Sequence, residues 1–112
     1  MNRTLNDKGT STALYKRLCA FSDATDRVWT EYQHQETKFG SARNLHPMLW
    51  SIVLGEEFGE VQRAILEGDR DGYIAELIDV AAVAIAALIN ADEHTDWAQG
   101  KQLVPSKWAV SE

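Results

Sequence analysis

Residues 54–61 read LGEEFGEV, and residues 76–84 read ELIDVAAVA. Each stretch holds a pair of acids spaced three residues apart: Glu57 and Glu60 in the first, Glu76 and Asp79 in the second. Side chains at this spacing project from the same side of an α-helix. No segment alternates apolar and polar residues over the length of a strand, so no sheet is expected. The sequence therefore predicts an all-α fold in which two acid-bearing helices follow one another.

The position of these acids on their helices is more informative than their number. At about 100° per residue, Glu57 falls in the middle of the apolar face of its helix, and Asp79 falls among small apolar residues such as Ala82 and Ala86. Carboxylates directed at an apolar core protonate or destabilise the fold unless cations compensate them. Hard oxygen ligands favour Mg²⁺ or Mn²⁺. Four residues are therefore predicted to bind such an ion: Glu57, Glu60, Glu76 and Asp79.

Helix-starting and helix-breaking residues predict a bundle of about four helices. The expected ranges are 11–21, 24–38, 47–67 and 71–91. Ser11 or Thr12 would cap the first helix, and Ser22 and Asp23 would kink the chain or cap the second. Gly40 is expected to end the second helix. Pro47 suits the first turn of the third helix, with His46 or Asn44 as its cap. Gly68 and Asp69 are expected to break the chain after that helix. The expected organisation is a flexible terminus (1–10), a helical domain (11–91) and a tail (92–112).

Charge and composition narrow the classes of function. The net charge of −6 resides in residues 55–80, which hold eight acids and two bases, whereas the rest of the chain sums to zero. This acidic balance argues against a nucleic-acid partner. The longest apolar run, 80–89, is too short to span a bilayer, and no apolar leader opens the chain. Cys19 is predicted to be a buried, reduced thiol, so we expect a cytoplasmic protein with no membrane partner.

The two acidic stretches together resemble the motif of the MazG-like branch of the all-α nucleotide pyrophosphohydrolases, which is EExxE, a spacer and then ExxD. The preceding segment is similar to that of phage and prophage members at Gln33, Lys38, Phe39, Gly40, His46, Pro47 and Trp50. The resemblance covers about residues 27–91. It implies Mg²⁺-dependent hydrolysis of a nucleoside triphosphate to the monophosphate and pyrophosphate, with Glu57, Glu60, Glu76 and Asp79 as ligands. Glu56 matches a position that binds metal or activates water.

Several residues are candidates for substrate binding, each with a structural alternative. Lys38 and Arg43 are either phosphate contacts or solvated surface charges. Trp29, Trp50 and His46 could line a base pocket, although Trp50 also suits the core and His46 also suits a helix cap. Asn90 would either contact substrate or serve as a C-cap.

The apolar composition of the last predicted helix indicates that the protein forms an oligomer. Residues 77–89 are almost wholly apolar and need cover on more than one side, so a homodimer or a dimer of dimers is predicted, with the active site near the interface.

A non-catalytic helical dimer that binds nucleotide or protein is the main alternative function. Glu31 and His34 form a single ExxH, but a di-iron bundle needs two such motifs.

Overall fold

The computed structural model of the protein describes residues 8–40 and 43–92. These residues form three helices: α1 (Lys8–Phe39), α2 (Pro47–Leu66) and α3 (Arg70–Ala91). No strand occurs within the two described ranges, so the predicted all-α class is confirmed. The tail expected beyond residue 92, and most of the terminus expected before residue 11, lie outside the described residues.

The first two predicted helices are one continuous helix, α1, so the predicted break was wrong. Asp23 does not cap a second helix, because its carboxylate pairs along the helix surface with Arg27 at 3.3 Å. The hydroxyl of Thr25 donates back to the carbonyl oxygens of Phe21 and Ser22, each at 3.0 Å. Local polar groups are thus satisfied within the helix. The expected cap at residues 11 and 12 was also wrong, because both lie inside α1.

The other helix ends follow the sequence closely. Gly40 has a φ of +97°, which favours glycine, and its N–H donates to the carbonyl oxygen of Glu36 at 2.8 Å. His46 caps α2 by accepting a hydrogen bond from the backbone N–H of Met48 at 3.1 Å. Asp69 caps α3, because its carboxylate accepts from the N–H of Gly72 at 2.9 Å. The predicted ends at Gly40 and residues 46–47 are confirmed, and α3 starts one residue earlier than expected.

The small core lies where α3 packs against both α1 and α2. Its buried centre is Trp50, Val83 and Ala86, with Tyr32 and Val53 among the residues packed around it. Trp50 is only 4% exposed, which confirms the core interpretation of this residue.

A hydrogen-bonded network joins the ends of α2 and α3. The indole N–H of Trp50 donates to Asn90 Oδ1 at 2.8 Å, and Asn90 Nδ2 donates to Asn44 Oδ1 at 3.0 Å. Asn90 is therefore a buried link between elements. The expectation that it caps α3 was wrong, because Asp92 occupies that position.

Much apolar surface remains uncovered in the single chain. Every described side chain from residue 11 to residue 27 is exposed, so the prediction of a buried Cys19 was wrong. Leu88 on α3 is 70% exposed, and Ile85 and Leu77 are also exposed. Among the described helices, α3 alone has the length and apolar composition that could cross a membrane. The core helix of a soluble protein can have the same composition, so this finding does not locate the protein.

Candidate metal centre

Three carboxylates from two helices meet at one point. Glu57 extends from α2, and Glu76 and Asp79 extend from α3 one turn apart. One carboxylate oxygen from each residue lies within 4.8 Å of the others, and all three residues are half-buried. The i, i+3 spacing places the two α3 acids side by side, and the packing of α2 on α3 brings Glu57 to them.

The surroundings of these acids disfavour their charged forms. Burial, followed by the nearby charges of Glu31, Glu76 and Glu57, raises the pKa of Asp79 from its ordinary value of 3.8 to about 7. Burial, followed by the neighbouring acids, also raises the pKa of Glu57. Within the described residues, no ion pair joins any of the three clustered acids to a basic side chain. Among the described residues, no ion pair therefore offsets the repulsion between these carboxylates.

The donor set suits a hard divalent cation. Mg²⁺ binds carboxylate oxygens at about 2.0–2.1 Å, so oxygens on opposite sides of one ion lie about 4.2 Å apart. The three oxygens already lie within 4.8 Å of one another, so small side-chain adjustments would bring them to that spacing. Glu57, Glu76 and Asp79 could therefore hold Mg²⁺ or Mn²⁺, and binding would offset their mutual repulsion.

The other two acids of the motif lie outside this cluster. Glu60 is exposed, and its carboxylate lies 3.8 Å from Nη1 of Arg63. Glu56 is also exposed. The sequence contained a signal for the position of Glu60, because Arg63 follows it by three residues, which is the spacing of a helical ion pair.

Glu31 of α1 is a fourth acid of the site that the two-helix motif did not predict. It is half-buried, and it raises the pKa of Asp79 through its charge and a hydrogen bond. The sequence contained one weak indication that Glu31 faces the core. Glu31 follows Val28 by three residues and precedes Gln35 by four, so the three lie on the face of α1 that meets the core. His34, its partner in the ExxH pattern, is exposed.

A cavity of about 300 Å³ adjoins the cluster between α1 and α3. Both Glu31 and Asp79 line it, and Arg27 is the one basic residue among its lining side chains. The basic side chain of Arg27 therefore borders the same cavity as Glu31 and Asp79.

The expected substrate-binding residues gather at the other end of α2. The Arg43 guanidinium lies 5.3 Å from the ring centre of Trp50 and 5.7 Å from that of Phe39, and Lys38 Nζ lies 5.2 Å from the Phe39 ring. His46 and Asn90 belong to the same region through their contacts with Met48 and Trp50. Seven residues of helix separate Trp50 from Glu57, which corresponds to about 10 Å.

Trp29 contacts Tyr32, which packs against the core cluster that contains Trp50. Its exposed ring stacks on Tyr32, with the ring centres 5.8 Å apart.

The fold and the cluster define a class of protein: an all-α chain with a carboxylate centre between two consecutive helices. No protein-family model matches the chain, and no curated protein and no solved structure matches it.

Proposed function

We propose that the protein is a Mg²⁺-dependent nucleotide pyrophosphohydrolase, a hydrolase acting on a phosphoric anhydride bond. The observation that supports this most is the convergence of Glu57, Glu76 and Asp79, with ligand oxygens within 4.8 Å and no basic partner in the described residues. The acidic motif resembles that of MazG-like enzymes. This resemblance suggests the reaction, which converts a nucleoside triphosphate to the monophosphate and pyrophosphate.

The chemistry assigns a role to each group of residues. A bound Mg²⁺ supplies charge neutralisation of the polyphosphate and acidification of a water molecule. Glu57, Glu76 and Asp79 hold the ion. Glu56, exposed beside Glu57, is the candidate base that accepts a proton from the attacking water.

The nucleotide would extend from the acids along α2. About 10 Å of helix separates Glu57 from Trp50, a gap that an extended nucleotide can bridge. The base and sugar would then approach the end of α2 that holds His46, Trp50 and Asn90. Lys38 and Arg43, which lie at that same end, would contact oxygens of the phosphate nearest the sugar. Since Trp50 is buried and its indole N–H is already bonded to Asn90, it would pack beneath the base without a hydrogen bond to it.

The proposal includes a second copy of the chain. Leu77, Ile85 and Leu88 fall on one side of α3, away from the face that carries Asp79 and Ala86, and they are uncovered in the single chain. A symmetric homodimer, or a dimer of dimers, would bury this stripe. Burial of this kind also accounts for the apolar composition of α3 in a cytoplasmic protein without a membrane span.

Pyrophosphate release tests the proposal directly. The full chain is incubated with a panel of nucleoside triphosphates, with Mg²⁺ and with a chelator in its place. We expect pyrophosphate and monophosphate in equal amounts, only with Mg²⁺, and no product from Glu57→Gln. Release of orthophosphate, or metal binding without any hydrolysis, would contradict the proposal, and the second result would favour the non-catalytic alternative.

A further inference from the structure

Gln35 of α1 is a buried polar side chain with half of its amide unsatisfied. It is only 6% exposed, and its Nε2 donates to Glu31 Oε2 at 3.2 Å. Its Oε1 is buried and has no hydrogen-bond partner. A buried oxygen left without a donor is unfavourable, because it has lost its hydrogen bonds to water. A donor that arrives with a ligand or a water molecule would explain it.

Gln35 hydrogen-bonds with Glu31, which is the acid of α1 nearest to the candidate metal centre. Glu31 lies close enough to Asp79 to hydrogen-bond with it, and its charge also acts on Glu57. Glu31 and Asp79 line the same cavity between α1 and α3. The shared cavity therefore places Glu31 beside Asp79, and the electrostatic influence of Glu31 on Asp79 and Glu57 agrees with this position.

We propose that Glu31 is a fourth carboxylate ligand of the metal centre, contributed by α1, and that Gln35 is its positioning residue. The amide N–H of Gln35 would fix one carboxylate oxygen of Glu31 and leave the other facing Asp79, where it would bind the ion. The unpaired Oε1 of Gln35 would accept a hydrogen bond from a water molecule bound to that ion. This inference rests on the proposed function only for the nature of the ion.

A purely local role for this pair makes a different prediction. If the Gln35–Glu31 pair only stabilises α1, its loss lowers the melting temperature slightly and leaves cation affinity unchanged. The two roles are separated by measuring cation binding and the stability of the metal-free protein side by side.

The test is a titration of the full chain with Mn²⁺, in which free Mn²⁺ is followed by its electron paramagnetic resonance signal. We expect Glu31→Gln to weaken Mn²⁺ affinity about 10–100-fold and Gln35→Leu to weaken it about tenfold, as removal of supporting groups around metal sites does. Glu36→Gln is the matched control, because Glu36 lies on the same helix and hydrogen-bonds with Tyr32. Its affinity should equal that of the wild type.

Thermal unfolding without metal supplies the second measurement. Glu31→Gln removes a negative charge from the cluster, so its melting temperature should equal or exceed that of the wild type. A lower melting temperature with unchanged Mn²⁺ affinity would assign Glu31 to fold stability and overturn the inference. Because Glu31→Gln keeps the size of the side chain, it decides the question even if Gln35→Leu fails to fold.

Failure of this inference is distinguishable from failure of the proposed function. If the wild type releases pyrophosphate while Glu31→Gln binds Mn²⁺ with wild-type affinity, Glu31 is not a ligand and the proposed function stands. If Glu31→Gln weakens Mn²⁺ binding but the wild type hydrolyses no nucleotide, Glu31 is a ligand and the proposed function falls. Absence of Mn²⁺ binding to the wild type would overturn both.

Discussion

Asp79 is the residue whose carboxyl group is most strongly affected by the fold. Its pKa rises from 3.8 to about 7, first through burial and then through Glu31, Glu76 and Glu57. An acid with a raised folded-state pKa binds more protons in the native state than in the unfolded state. Stability without metal therefore falls as the pH rises from about 4 through about 7.

We predict that the metal-free protein is less stable at pH 8 than at pH 5, and that Asp79→Asn removes most of this difference. The whole shift corresponds to at most about 4 kcal/mol, of which about 2.7 kcal/mol falls between pH 5 and pH 8, and solvent around the half-buried group reduces the measured difference to about 1–2 kcal/mol. Urea unfolding in chelator at both pH values measures it. Asp71→Asn is the control, because Asp71 is exposed on the same helix. A pH dependence that survives in Asp79→Asn would show that other groups cause it.

Glu57 and Glu60 provide a second test at the residue scale, because the motif assigns them the same role and the structure separates them. Glu57 belongs to the cluster, whereas Glu60 is exposed and pairs with Arg63. We predict that Glu57→Gln weakens Mn²⁺ affinity by at least about 100-fold and Glu60→Gln by about tenfold or less, an effect typical of supporting residues. Calorimetric titration of both variants measures this. Equal losses would place Glu60 among the direct ligands.

At the scale of elements, the continuity of α1 decides where its residues lie. If the helix had ended at Ser22, the segment after it could have run in a different direction. In the continuous helix, Glu31 and Gln35 are held against α3, and the first half of α1 extends away from the core with its apolar side chains exposed. The carboxylate cluster of α2 and α3 is therefore flanked by α1, and Glu31 of α1 lines the cavity beside Asp79.

The end of α1 depends on the backbone conformation of Gly40. With a φ of +97°, a side chain at this position strains the backbone. We predict that Gly40→Ala destabilises the protein by about 1 kcal/mol, measured by urea unfolding. Gly55→Ala is the control, because Gly55 lies inside α2 with open space around its Cα. It should stabilise the protein by about 0.5–1 kcal/mol. A neutral Gly40→Ala would show that this turn tolerates a different conformation.

At the scale of the whole molecule, the uncovered stripe of α3 is the feature that a single chain leaves unexplained. Leu77, Ile85 and Leu88 are exposed beside a core of few buried side chains. We predict that the protein is a dimer or tetramer at micromolar concentration and that Ile85→Arg reduces it to monomers, because a charge would be buried in the interface. Light scattering measures the mass.

Gln33→Arg is the control for this prediction, since Gln33 is an exposed polar residue of α1. It should leave the mass unchanged. A wild type that is monomeric at high micromolar concentration would contradict the dimer without affecting the carboxylate cluster, which a single chain assembles.

The sequence by itself determined the class of the fold, the ends of α2, the end of α1 at Gly40 and three of the clustered acids. These features follow from local rules: helical spacing, proline and glycine conformations, and acids placed on apolar faces. The sequence alone could not place Cys19 or Glu31. Their positions depend on how far α1 continues and on which side chains reach across from neighbouring helices. The tertiary structure decided those positions because packing between helices, unlike spacing within one, is set by the whole chain.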